Sequence, residues 1–575
     1  MIPKIRTGKG GTYGLIRYLF GPGKRDEHTD PHLVAFWNDY APDPGRNPQH
    51  TIAQLAGQLD QPVNAVGDRA PATTIWHCSV RADPGDRHLD DADWAAIARR
   101  IVQAVDIAPD GDTTACRWVA VRHAEDHIHI AATLVRQDGR HADLRFDKRK
   151  AQAEARRIEK GYGLRQLNPG DGTAAKAPTS QERFKAERIG RAETPRETLR
   201  EAVRQAIAGA ATEDEFFTRL RTKGLRVKLT QGSSGDVLGY AVALPGDRNR
   251  NGEPIWFAGS TLAPDLSLPR IQRRLASGIA DEPASLKAGT RRPDWSAPAR
   301  GRRTAAGIAE HAAALLDSDG DEAADQLVGI GALLDALVQT SPAPARAELA
   351  AAARSFERAT RSHTRAEQAD ARALRTAARG IVLAGSALGR GEDGGATAML
   401  LSTLVLAAIA AVRWHSARGH AQQAAAARQT AEHLRAAYRQ TAAAPMRALR
   451  DHARALPEPK LRGYETTIRA ALSGTDALRV GRTDALVATV AQAEEAGHDP
   501  KALLQQTIGM RELDTAENMT DVLVWRLRRL ADLPAHPGSS ARVPQARAKP
   551  ADRRPPTPAA PRIPTTDPRK HPPRR

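Results

Sequence analysis

Arg122-His123-Ala124-Glu125-Asp126-His127-Ile128-His129-Ile130 lies between two short apolar runs, Cys116-Arg117-Trp118-Val119-Ala120-Val121 before it and Ala131-Ala132-Thr133-Leu134-Val135 after it. Both runs are rich in β-formers, so the stretch reads as strand, tight three-residue turn, strand. Residues two apart on a strand share a face, which puts His127 and His129 on one side of the sheet. His123 closes the preceding strand and is expected across from His127. Three imidazoles then converge from two paired strands. Imidazole nitrogens are common ligands of divalent transition metals, and three of them leave positions open for substrate and water. Two acids stand in the turn. Glu125 or Asp126 is expected to accept the second ring N–H of a ligating histidine and so fix its tautomer.

A chain of 575 residues is too long for one ordinary core, so several domains are expected. Its net charge of +18 points to a polyanionic partner, nucleic acid or anionic lipid. Cys78 and Cys116 are the two cysteines, and their spacing excludes a disulfide framework and a zinc ribbon. Met1-Ile2-Pro3-Lys4-Ile5-Arg6 has no apolar core region and does not read as a secretory signal, so the N-terminal part is expected to work in the cytoplasm.

Working outward, residues 1–170 mix strands and helices in an α+β arrangement built on an antiparallel sheet. Met1 to Arg6 reads as a short edge strand, and Tyr13 to Phe20 as a short helix stopped by Gly21-Pro22-Gly23. These glycines lack the spacing and Lys-Ser/Thr ending of a phosphate-binding P-loop. A helix is expected from about Thr51 to Leu59. Thr74 to Arg81 alternates as a strand, with Ile75, His77 and Ser79 on one face. Trp94 to Val102 has the spacing of an amphipathic helix that covers the sheet, and a basic helix starts at Asp147. Residues 171–192 read as a linker and 193–276 as a small α+β module, followed by a second linker, 277–303. Residues 304–534 are Ala-rich and helical. Within them, 394–412 carries no charge and as a helix would reach about 28 Å, close to the thickness of a bilayer core. It is either a membrane-contacting segment or a buried helix. Residues 535–575 are rich in Pro and Arg and cannot bury a core, so a disordered basic tail is expected.

On His123-Ala124-Glu125-Asp126-His127-Ile128-His129-Ile130, on Leu15-Ile16-Arg17-Tyr18-Leu19 and on the strand Ile75 to Arg81, the first 170 residues resemble the relaxase/mobilisation nuclease family of conjugative and mobilisable plasmids. The resemblance implies a divalent metal, Mg²⁺ or Mn²⁺, held by His123, His127 and His129. It also implies an N-terminal tyrosine nucleophile, with Tyr18 favoured over Tyr13 and Tyr40. Glu125 occupies a turn position at which many relatives carry Asp, and its catalytic role is carried over on that basis.

The activity implied is nicking of one DNA strand at a transfer origin. Tyrosine would join the 5′ phosphate and release a free 3′ hydroxyl, and the reverse transfer would reseal the strand. Arg17, Lys24 and Arg25 flank the tyrosine element and are expected to bind adjoining phosphates. Expected partners are single-stranded origin DNA, a type IV coupling protein and an accessory mobilisation protein, with membrane contact through 394–412 as a further possibility. Three competing readings remain. A rolling-circle replication initiator shares the chemistry, but there the tyrosine usually follows the histidines. The others are a non-catalytic DNA-binding protein on the same fold and a nucleotide hydrolase with a histidine nucleophile.

Overall fold

The computed structural model describes the chain except residues 24–27, 39, 84, 168–173, 277–294, 319–322, 361–370, 473–481, 511–517 and 538–575. The N-terminal region runs β1 (Ile2–Gly8), α1 (Tyr13–Phe20), β2 (His32–Phe36), α2 (Ile52–Val66), β3 (Ile75–Arg81), α3 (Asp91–Ala104), β4 (Cys116–Ala124), β5 (His127–Arg136) and α4 (Asp147–Gly161). The five strands form one sheet in the order β1-β3-β5-β4-β2, and every pairing is antiparallel. This is the expected α+β class, with β1 as the edge strand. β2, at the opposite edge, has no counterpart in the sequence reading.

Alternation along the strands divides the sheet into two faces. Trp76, Cys78 and Val80 of β3 share a core with Trp118, Ala120, Ile128 and Ile130, closed by Trp94, Ile97 and Ile101 of α3 and Ile158 of α4. On the other face Val119, Val121 and Ala131 are covered by Ile16 and Leu19 of α1 and Leu55 and Leu59 of α2. That cover stops short of the end of the sheet nearest the β4–β5 turn, where His123 is buried and His127 and His129 are half-buried. α2 starts one residue after Thr51, whose side chain caps it in a reciprocal pair with Gln54, the Thr-x-x-Gln signature of a helix start.

Among the residues after 170, the helix Ser180–Arg188 lies within the stretch read as the first linker. Phe216, Phe217 and Tyr240 centre a small core beneath strands Arg226–Gln231, Val237–Ala243 and Phe257–Ala258. The second expected linker falls largely outside the described residues, and the helix Ala297–Asp317 begins before its expected end. Most of the tail, 538–575, also lies outside them.

The uncharged stretch 394–412 lies inside the helix Gly391–Ala417. That helix packs along Ala297–Asp317 and Ala421–Arg454, and 72% of its most apolar window is buried in protein. Of the two expectations for this stretch, the buried helix matches the packing; its partly buried apolar residues Val405, Ile409 and Val412 pack against the same helical core. Gly395 lets it close against the backbone, because a Cβ there would come within 2.5 Å of the Ala535 carbonyl oxygen. Leu400 is fully buried in this core. Leu400→Ala should cost about 2–5 kcal/mol, read by chemical denaturation in detergent-free buffer. A membrane-facing leucine would leave that stability nearly unchanged.

Candidate metal centre

The hairpin that carries the histidines departs from simple pairing at one point. Arg122 pairs with Ile128, but His127 pairs with Ala124, so His123 is the extra residue of a β-bulge. The turn is therefore the two residues Glu125-Asp126 rather than three. In a bulge two residues oppose one, and His123 with Ala124 together face His127. The extra residue keeps His123 on the face of His127 and His129 while the strand bends toward them. One ring nitrogen from each of the three histidines lies within 4.8 Å of the others. Donors about 2.0–2.1 Å from one tetrahedral ion would be roughly 3.4 Å apart, a gap that small rotations of the rings close.

Neighbouring groups hold two of the three rings in the ligand form. Asp126 Oδ1 accepts from His127 Nδ1 at 2.7 Å, which leaves Nε2 of His127 for the ion. Burial would raise the Asp126 pKa, but the hydrogen bonds from His127 and Arg81 outweigh it and hold the carboxyl below its ordinary range. His129 Nδ1 lies 2.8 Å from His77 Nε2, so its Nε2 is also directed to the cluster. Burial first, and the neighbouring imidazoles second, push His129 down to about 2. Burial and the positive charge of Arg6 push His77 down to about 4. Both rings are thus neutral near pH 7, the state that can ligate. Three imidazole donors fit a first-row transition ion better than Mg²⁺, which prefers oxygen donors.

Of the two turn acids, then, Asp126 reaches a ligand ring. Glu125 is exposed, and its backbone carbonyl accepts from Arg122. Its carboxylate is not brought to the cluster. Removing either supporting partner should loosen the centre without dismantling it. Asp126→Ala and His77→Ala are each expected to weaken Mn²⁺ affinity about 10–100-fold, measured by calorimetry.

Tyr18 is brought to the same place by helical spacing. Ile16 and Leu19 of α1 are buried against the sheet, and Leu15 and Tyr18 form the adjoining stripe. Backbone N–H of Thr12 donates to the Asp60 carboxylate at 2.8 Å, which ties the start of α1 to α2. A cleft of about 460 Å³ is lined by Lys4, Arg6, Leu15, Tyr18, His77, Ser79 and His129. Tyr13 does not line it; five residues away on a helix, it is turned about 140° from Tyr18. Tyr40 packs edge-on against His50 instead. Arg17 is exposed on α1 and is not part of the cleft wall, while Lys24 and Arg25 lie outside the described residues.

His28 is a residue the sequence reading missed. Its ring meets Tyr18 edge-on at 5.1 Å between centroids and packs on His123 at 3.8 Å. Its Nδ1 donates to the Gly21 carbonyl at 2.8 Å. A single histidine in a loop after Gly-Pro-Gly carries no periodic signal that could have singled it out.

Searches of curated proteins and of solved structures found no match to this chain. Residues 50–164 match the family described as "Relaxase: MobA/VirD2-like, nuclease domain", and they contain β3, β4, β5 and all three clustered histidines. Residues 50–164 of this protein are therefore similar to the MobA/VirD2-like relaxase nuclease domain.

Proposed function

We propose that this protein is a conjugative or mobilisation relaxase that cuts one DNA strand at a transfer origin and stays attached to its 5′ end through Tyr18. One observation carries the reading: the Tyr18 ring and the His129 ring line one cleft. A hydrolase that uses metal-bound water has no need of a tyrosine there, whereas strand transfer to protein requires a nucleophile on the chain.

A divalent ion held by His123, His127 and His129, Mn²⁺ in preference to Mg²⁺, would neutralise charge on the non-bridging phosphate oxygens. The chain's own residues do the rest. Tyr18 presents its hydroxyl to phosphorus. His28, packed between the Tyr18 and His123 rings, fixes the distance between nucleophile and metal face. With its Nδ1 proton given to Gly21, His28 has Nε2 available to take the phenol proton as the O–P bond forms. The displaced 3′ oxygen takes a proton back, from the protonated His28 or from water, and leaves as a free hydroxyl. Because one phosphodiester is exchanged for another, the reverse attack reseals the strand without a nucleotide cofactor.

The reading extends to partners as follows. Single-stranded origin DNA is the substrate, reaction takes place in the cytoplasm, and the helical region docks a type IV coupling protein or an accessory mobilisation protein. The order of the tyrosine ahead of the histidines favours this over a rolling-circle initiator. Incubation with origin DNA and Mn²⁺, followed by a denaturing gel, tests it. A metal-dependent protein–DNA band that survives denaturant supports strand transfer, and turnover of small nucleotides without such a band would replace it with a hydrolase.

A further inference from the structure

The antiparallel register builds a row of side chains across the open face of the sheet. On β1 and β3, Lys4 pairs with Ser79 and Arg6 with His77; on β3 and β5, Ser79 pairs with His129. Partners in register share a face, so Lys4 and Arg6 stand on the histidine face, two strands away from His129. Ile5, between them, packs toward the opposite core. Both cations are exposed, and both line the cleft that holds Tyr18.

Three other arginines on strands of this sheet are neutralised, Arg81 by Asp126, Arg122 by Asp91 and Arg136 by Asp112, and Arg117 is turned to the Gln58 carbonyl. Lys4 and Arg6 have no acidic partner among the described residues. β1 is also the sheet edge among the described residues, and α4 covers its opposite face, so Lys4 and Arg6 keep the cleft side. Two residues on a strand span about 6.8 Å, a spacing that lets the two side chains meet successive phosphates of an extended strand.

We propose that Lys4 and Arg6 form a phosphate-binding wall of the cleft, gripping the DNA backbone next to the phosphate that Tyr18 attacks. This deepens the strand-transfer reading and rests on the cleft being its site. The two residues hold and position the strand and do not touch the reacting atoms. They would act alongside Arg17, Lys24 and Arg25, the phosphate-binding cations expected from the sequence.

The test uses the full chain and a fluorescent single-stranded oligonucleotide of origin sequence. Binding is measured by anisotropy over a range of salt concentrations, and adduct yield is measured separately. Each lost phosphate contact to a single strand lowers the slope of log K against log [salt] by about 0.7. The double variant Lys4→Ala/Arg6→Ala should therefore lose about 1.4 from the slope and need about tenfold more oligonucleotide for half-maximal adduct. Arg6→Lys, which keeps the charge, should retain the wild-type slope. Lys160→Ala, which removes a positive charge on α4 away from the cleft, should leave both readouts unchanged.

An unaltered slope in the double variant overturns the proposal, as does an equal loss in Lys160→Ala. Failure of the wild-type chain to bind the oligonucleotide overturns it too. Wild-type binding without adduct would count against strand transfer instead, and the slope would still decide the wall.

Discussion

Tyr18→Phe will eliminate the covalent protein–DNA species, a loss of at least about a thousandfold, because removing a nucleophile leaves only the residual effect of binding and electrostatics. The substitution deletes one oxygen. The ring keeps its edge contact with His28, and Ile16 and Leu19 still anchor the helix, so folding and oligonucleotide affinity should hold within about twofold. Tyr13→Phe alters an exposed ring away from the cleft and should keep full adduct yield. The comparison separates chemistry from binding because the two tyrosines sit on one short helix in the same stability context. The reverse pattern would move the nucleophile to Tyr13, and unchanged adduct in both variants would remove tyrosine from the chemistry.

His129→Ala has the second largest expected effect. It deletes one of three donors and the ring that His77 supports, so two ligands remain where three were preorganised. Mn²⁺ affinity should fall by more than about a hundredfold, beyond the range typical of a lost supporting partner. Calorimetric titration of Mn²⁺ reads this without any DNA, and adduct formation should vanish in parallel. The thermal midpoint checks the fold. Retained Mn²⁺ affinity would mean that the three histidines are a packed cluster and not a binding site.

The hairpin was legible because strand period and residue type agree: alternation places His127 and His129 together, and the apolar flanks can only be strands. The bulge at His123 was not, since one extra residue costs little locally and its position follows from how β4 pairs with both β5 and β2. β2 itself is five residues, His32–Phe36, too short for a periodic pattern to stand out from the loop around it. Tyr18 was reachable from the family resemblance and from the spacing of Ile16 and Leu19. His28, Lys4 and Arg6 were not, because only the register of β1 on β3 and the return of the loop after α1 bring them to the cleft.

The segment 394–412 shows the limit from the other side. A helix apolar all round suits either a bilayer or the middle of a bundle, and composition does not separate the two. The neighbours do: alanine-rich helices approach it closely, with Ala306, Ala309, Ala427 and Ala431 among the fully or nearly fully buried residues of that core. The choice between Glu125 and Asp126 was likewise closed to sequence, since adjacent residues in a two-residue turn differ only in direction.

Trypsin offers the most direct test of the Tyr18 linkage, because Arg17 separates the two candidate tyrosines: cleavage gives one peptide from Gly10 to Arg17 with Tyr13 and another from Tyr18 to Lys24. The wild-type chain is incubated with origin oligonucleotide and Mn²⁺, treated with nuclease and trypsin, and analysed by mass spectrometry. The expected result is a nucleotide mass on the Tyr18–Lys24 peptide that disappears when Mn²⁺ is chelated. A nucleotide on the Tyr13 peptide, or cleaved DNA with neither peptide modified, would contradict it.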